Sequence, residues 1–384
     1  MRRPGPSRPP AMPSCRRSVV AVTAALLLGA PADAGAQAPA SPDDPASASP
    51  VDLTVLTGGD LLAHQPVWDA AKRAGGGRRY AFDALLRPIA AIVRAADVAV
   101  CHAETPLVPG APRGYPSFRT PVGLALSVER TGYDVCSTAS NHSLDAGGRG
   151  VSTTLRAFRG TSVVPTGTSS SARDQRRIPM VRTASGVRVA VLAYTEMTNG
   201  IGLPHRWSVN LARAGRIISD ARRAHAAGAD AVVVTLHWGE EYRTAPTRAQ
   251  RSLAARLQRS KDITAIVGQH AHVPQPIRFS GRVPVVYGAG NLLSNQTAAC
   301  CHPASQGGYL ARLRLRATPR PAGASGEARF TVRATRVEYV PTFVSRPGFR
   351  VVPALRSSAS GARASARRTI RIVGRSARVR PVPR

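Results

Sequence analysis

Seven short apolar runs recur through the middle of the chain: "VDLTVLTGGD", "ADVAVC", "YDVCST", "VRVAVLAY", "DAVVVTLH", "ITAIVG" and "VPVVYG". Most are rich in β-branched residues, and each is followed by glycine or polar residues, as buried strands are. Segments of helical character lie between them, among them "AFDALLRPIAAIVRAA", "GVSTTLRAFRG", "NLARAGRIISDARRAHAAG" and "PTRAQRSLAARLQRS". That alternation predicts an α/β fold with a largely parallel sheet flanked by helices. From about Gly307 the pattern changes to "GYLARLRLRAT" and "ARFTVRATRVEYVPTFV", with no helix between them. These predict a second sheet or an antiparallel extension of the first. A length of 384 residues suits one large domain or two closely joined halves.

The two ends read differently. Residues 1–36 hold a basic segment, an apolar run from Ser18 to about Ala30 and small residues near Ala36, which together predict a cleaved export signal. The run is shorter than the roughly 20 residues that a spanning helix needs. Arg16 and Arg17 match a twin-arginine signal too loosely to use, and Cys15 precedes the apolar run, unlike a lipid-modified cysteine. Residues 37–50 are a Pro/Ala/Ser linker, and the main domain is expected over 51–350. The remaining residues, 351–384, read as an arginine-rich tail, mobile or surface-bound around "GARASARR".

Net charge is +32, and arginine supplies it, since Lys72 and Lys261 are the only lysines among 53 basic residues. Such a chain attracts polyanions and anionic lipid surfaces in a salt-dependent way. With aromatics at 5% and no finger, basic-zipper or aromatic RNA-reading motif, no specific nucleic-acid partner is expected. Four cysteines follow the signal: Cys101, Cys136, Cys300 and Cys301. The first two read as small apolar strand residues, whereas at least one of the adjacent pair is expected in a disulfide.

In open α/β sheets ligands sit beyond the carboxyl ends of the strands. Read in order, the residues there are Asp60, His102, Glu104, Asn141, His142, His237, Glu240, Glu241, His270, His272 and Asn291, which includes five of the nine histidines. Imidazole, carboxylate and amide oxygen suit one or two divalent ions such as Zn, Mn or Fe. Glu104 is the candidate to bridge two of them. In "GQHAH", His270 and His272 alternate on an extended loop and can address one site, whereas Glu240 and Glu241 are expected to support the ligands or face solvent.

The blocks "LTGGDLL", "ADVAVCHAETPL", "GYDVCSTASNHSLDAGGRGVSTTL", "VVVTLHWGEEYRTAPTRAQRSLAARL", "AIVGQHAHVPQPI" and "VPVVYGAGNLLSNQ" resemble the CapA family of poly-gamma-glutamate capsule synthesis. That family falls within the calcineurin-like metallophosphatase superfamily, and the resemblance covers about residues 52–345. It implies a four-layer sandwich of two facing mixed sheets with helices outside, the site lying at one end between the sheets. It also implies metal ligation by Asp60, Glu104, Asn141, His237, His270 and His272. His142 would donate a proton to the leaving group, and Asp145 would orient it. Asn or Asp here also suits the cap of the helix that follows. Asn291, Asn295 and Gln296 would contact substrate. One departure stands out: Leu62 occupies a position where the superfamily carries histidine, so either His102 or His64 replaces it or that position binds metal weakly and the site is effectively mononuclear.

Three functions fit these residues. The first is an exported metal-dependent hydrolase of the cell envelope, cleaving a phosphoester or amide-like bond in an anionic polymer or its precursor. The second is a non-catalytic polymer-binding or export component working with membrane-bound capsule-synthesis proteins. The third confines binding to the arginine-rich tail, a clamp for polyanion or membrane.

Overall fold

The structure, a computed structural model, describes residues 49–321 and 328–383. The export signal and most of the linker expected from the sequence lie outside these residues. Elements β1 (Val51–Leu61), α1 (Gln65–Ala74), α2 (Phe82–Leu86), α3 (Ala90–Arg94), β2 (Val98–Ala103), α4 (Gly123–Thr131), β3 (Val135–Ser137), α5 (Gly147–Arg159) and β4 (Val164–Thr166) come first. Then follow α6 (Ala172–Gln175), β5 (Met180–Arg182), β6 (Arg188–Thr195), α7 (Ala214–Ala226), β7 (Ala231–His237), α8 (Arg248–Gln258), β8 (Ala265–Gln269), β9 (Ile277–Ser280) and β10 (Val283–Val286). The chain ends with β11 (Asn291–Leu293), β12 (Gly307–Arg320), β13 (Arg329–Ser345), β14 (Arg350–Pro353), α9 (Ala362–Val373) and β15 (Val379–Pro381).

The strands form two mixed sheets. One runs β14-β13-β12-β1-β2-β3-β4, with β11 joined to β1 and β15 to β13; the other runs β5-β6-β7-β8-β10-β9. The first is parallel from β1 to β4, and β12 adds to it antiparallel, Val51 opposite Ala317 through Thr57 opposite Ala311. The late alternating segments therefore extend the first sheet rather than build another.

Period-two alternation explains the layering. Leu53 and Val55 of β1, with Val98 and Val100 of β2, face the gap between the sheets, where Val189, Val233 and Val267 meet them from the second sheet. The intervening Leu56, Ala99 and Cys101 pack outward against Phe82, Leu86 and Val128 of the helices. On the far side Val232, Val234 and Ile266 pack against Ile217, Ala221 and Ala254 of α7 and α8. Strands buried on both faces in this way give helix, sheet, sheet, helix, as the sequence and its resemblance imply. Each fully buried Val or Leu contributes roughly 1.5–3 kcal/mol. Among the described residues no helix is long and apolar enough to cross a membrane.

Two expectations are overturned. Cys101 and Cys136 are not simply apolar strand residues: they stand opposite each other on β2 and β3 and are joined by a disulfide. Cys300 and Cys301 are joined as well, as expected. Residues 351–383 are not a free tail either. Within them α9 buries Ala362, Ser365, Ala366, Thr369 and Val373, and β15 pairs with β13. The packing face of α9 is built of small residues, so the helix sits close to the sheet; a side chain at Gly307 would meet Ser365 Oγ at 2.3 Å. Buried Glu338 of β13 ties the end of the chain down further, accepting hydrogen bonds from Arg314 at 2.9 Å and from Arg336 and Arg380 at 3.2 Å.

Candidate metal centre

The carboxyl ends of β1, β2, β7 and β8 converge with the loops after β2 and β3. Asp60 lies opposite His102 on one side and opposite Asn291 on the other, so sheet register alone gathers three of the polar residues. The two glycines before Asp60 make this possible. Register shifts between Thr57 and Asp60, a bulge that re-aims the side chain, and a Cβ on Gly59 would lie 1.8 Å from the carbonyl oxygen of Gly290. The amide of Asp60 donates to that same carbonyl at 3.0 Å.

The residues expected as ligands are brought together. Asp60, His102 and His237 form one group with ligand atoms within 4.8 Å of one another, and Asp60, Glu104 and His272 form another. Asp60 is common to both. Glu104 Oε1 lies 3.6 Å from His272 Nε2 and 3.9 Å from His237 Nε2, so two carboxylates, not Glu104 alone, stand between the groups. Asn141 Oδ1 accepts from His237 Nε2 at 2.8 Å, and the rings of His237 and His270 are 4.6 Å apart. Of the two candidates to replace the histidine at the Leu62 position, His102 lies in one of these groups. His64 stands aside from both groups, its Nδ1 near the Leu62 carbonyl and its ring against Phe118.

His270 and His272 hold positive φ angles of 90° and 55°. Residues with a Cβ adopt these at a cost of roughly 1–3 kcal/mol each, and such strain concentrates where side chains must be aimed. Alternation in "GQHAH" is legible in sequence; the left-handed backbone that sets the His272 ring and the His270 amide on Asp60 is not. The backbone amide of His270 lies 3.3 Å from both Asp60 oxygens, and His272 Nδ1 is 3.1 Å from Asp60 Oδ2.

Electrostatics follow from burial. Desolvation lowers His102 to about 4, and lowers His270 to about 3 with help from the charge on His272. It lowers His237 well below its ordinary value, the other histidines adding to the effect. These three are neutral imidazoles, the form that binds metal. Burial opposes charge on His272 too, but Glu104 and the hydrogen bond to Asp60 carry it up to about 10. Burial likewise opposes ionisation of Asp60, yet the hydrogen bond and charge of His272 hold its carboxyl below the ordinary value. Glu104 is raised well above its ordinary value by burial, against the pull of His272 and with a push from Asp60.

These residues fit a divalent cation. His237 Nε2–H donates to Asn141, so its Nδ1 must accept from His102 Nε2, 3.0 Å away. That leaves His102 Nδ1 without a partner, together with both oxygens of Glu104 and His270 Nδ1, all buried. Unpaired buried polar atoms cost roughly 1–3 kcal/mol each, and native proteins rarely leave them unexplained. Unpartnered carboxylate oxygens and imidazole nitrogens buried beside the two Asp60 groups are donors of the kind that bind metal.

Beside the cluster, His142 Nδ1 is 2.8 Å from Asp145 Oδ2, which also accepts from the Phe118 amide at 2.7 Å. The Phe118 ring stands edge-on to His142 with centroids 4.9 Å apart. Sequence reasoning offers no sign of Phe118, because it sits in an irregular segment where spacing carries no period. Asn291 and Gln296, expected to contact substrate, are hydrogen-bonded within the protein. Asn291 Nδ2 is 2.9 Å from Gln296 Oε1 and 2.8 Å from the Ser305 carbonyl, and Gln296 Nε2 donates to the Tyr242 hydroxyl at 3.0 Å. Asn295 is held by Arg346, whose guanidinium donates to its side-chain oxygen at 2.8 Å. Exposed Glu240 pairs with Arg243, and Glu241 Oε1 reaches 4.0 Å from His272 Nε2.

Residues 54–296 match the model of a family described as bacterial capsule synthesis protein PGA_cap. The chain is similar to the capsule biosynthesis protein CapA of Bacillus anthracis, 28% identical over 256 residues covering 64% of this chain and 60% of that protein. It is also similar to the PGA biosynthesis protein CapA of Bacillus subtilis strain 168, 27% identical over 249 residues covering 62% of each. Both alignments thus span less than two thirds of the relative's length. Among solved structures it is similar to a calcineurin-like phosphoesterase from Bacillus subtilis, with a TM-score of 0.38 at 14% identity, covering 84% of this chain and 96% of that one. With its polar cluster and well over half its length inside the matched region, the chain belongs to the bacterial capsule synthesis protein family PGA_cap.

Proposed function

We propose that this protein is a metal-dependent hydrolase of capsule synthesis, acting outside the cytoplasmic membrane on a phosphoester or amide-like bond of an anionic envelope polymer or its precursor. The observation that carries the reading is Glu104: a fully buried carboxylate with neither oxygen hydrogen-bonded, set among the imidazoles of His237 and His272. Asp60, His102, Glu104, Asn141, His237, His270 and His272 would hold the metal, which would supply Lewis-acid stabilisation of charge developing on the substrate. The residues of the chain do the rest. Asp145 fixes the tautomer and direction of His142 by accepting from Nδ1, leaving Nε2 as the atom that exchanges a proton with the departing group. Phe118 packs on that ring and limits its rotation. The sequence of residues 1–36 and the Cys101–Cys136 disulfide support an extracytoplasmic location, where disulfides persist.

The test is elemental analysis of the purified protein, followed by assay of aryl phosphate and γ-glutamyl amide substrates with the wild type and His142→Asn. The variant is expected to keep its metal and lose roughly 10²–10⁴-fold in turnover. Undiminished turnover in the variant, or a wild type that takes up no Mn, Zn or Fe, overturns the reading.

A further inference from the structure

We infer that the outer face of α9 is a binding rail for a linear polyanion, beside the metal cluster but separate from it. The helix buries Ala362, Ser365, Ala366, Thr369 and Val373 and turns Arg363, Arg367 and Arg371 outward, all three exposed. These arginines follow at i, i+4 and i+8, so they form one row along the helix, stepping about 6 Å at a time. None of them pairs with an acidic side chain among the described residues. Nor does the sequence supply one locally, since beyond Glu338 there is no Asp or Glu. Three adjacent cations held in line without counter-charges repel one another, and a folded protein keeps such a row at a cost that a ligand of opposite charge relieves.

The shape of the row selects the ligand. The apolar side of α9 is turned into the protein, and none of the exposed large hydrophobic residues lies on this helix. A bilayer would therefore find charge but nothing to bury, whereas a polymer with one anionic group every few ångströms can follow a single line of guanidinium groups. The rail also leads toward the cluster: Ile372 packs with Ala271 and Val273, which flank His272, and Arg368 donates to the Pro303 carbonyl at 2.6 Å. This inference rests on the reading of an anionic polymer as substrate, and it assigns to α9 the task of holding the chain.

The test measures binding of poly-L-glutamate to the whole protein by fluorescence anisotropy at several salt concentrations. Arg363→Gln/Arg367→Gln/Arg371→Gln is compared with a charge-matched control, Arg248→Gln/Arg256→Gln/Arg259→Gln. The row variant should bind about 10-fold or more weakly at low salt, and its log–log salt slope should flatten by about two to three, as the number of neutralised charges falls. The control should retain wild-type binding, with thermal stability and metal content unchanged in both. Equal losses in the two variants, no binding by the wild type, or preferential capture by vesicles of anionic lipid would overturn the inference. Binding requires no turnover, so an inactive enzyme with an intact rail, or an active one without it, separates this inference from the hydrolase reading.

Discussion

Replacing Glu104 with glutamine should stabilise the metal-free protein and destabilise the metal-loaded one. The side chain is fully buried, and its nearest potential donors, the Nε2 atoms of His272 and His237, are 3.6 and 3.9 Å from Oε1, beyond hydrogen-bond distance. Burial raises its pKa above the ordinary value of 4.5. Between that value and the folded one, the folded state binds more protons than the unfolded state, so stability falls as pH rises, by up to about 1.4 kcal/mol per unit. An amide of the same shape escapes this slope. Allowing for the nearby charge of His272, the gain for metal-free Glu104→Gln near neutral pH is about 1–3 kcal/mol. Metal reverses the order. Ligand at about 100 times its Kd adds about 2.7 kcal/mol to the wild type, and the variant loses most of that increment with the anionic ligand. Calorimetric unfolding of chelator-stripped and Mn-loaded samples measures both, at about 2 °C of Tm per kcal/mol for a domain of this size. A stripped variant less stable than the stripped wild type, with an undiminished response to metal, would refute the argument.

Two further outcomes are expected. Metal uptake should release at least one proton near neutral pH, because His272 is held at about 10 and carries a proton until the ion arrives. Apparent affinity should then rise by about 10-fold per pH unit, and calorimetry in buffers of different ionisation enthalpy counts the protons; a count of zero would contradict the charge assignment. Glu338→Gln should cost about 1–3 kcal/mol at pH 7, less than a fully buried pair because its arginine partners are partly exposed. Burial opposes ionisation of Glu338, but hydrogen bonds from Arg380 and Arg314 hold its pKa at about 2. Its contribution is therefore complete above pH 4.5 and lost as pH falls through 2, so urea unfolding should show the gap between wild type and variant closing on that path; a constant gap would exclude the mechanism.

Much of the architecture was legible because doubly buried strands write themselves as apolar runs, and because ligands in such folds gather where the runs end. Asp60, Glu104 and His237 were found by that rule alone. What the sequence hid has physical causes. Helix α9 packs through Ala362, Ser365, Ala366 and Thr369, residues too small to register as an apolar stripe among so many arginines. The Cys101–Cys136 bond depends on strand register, which two isolated runs do not reveal. Asn291 and Gln296 stand where the resemblance puts substrate contacts, but their amides are taken up by the protein itself.

The pairing of β1 with β12 carries a consequence for how the protein is made. Asp60 belongs to the first strand, while the strand that covers the other edge of β1 comes from the far end of the chain, and the helix that supports the histidine loop comes later still. A growing chain thus holds its earliest candidate ligand long before it holds a sheet to fix it. The cluster is complete only when the carboxyl-terminal strands are in place, and a chain cut short by even its final helix should lose the centre rather than merely an appendage.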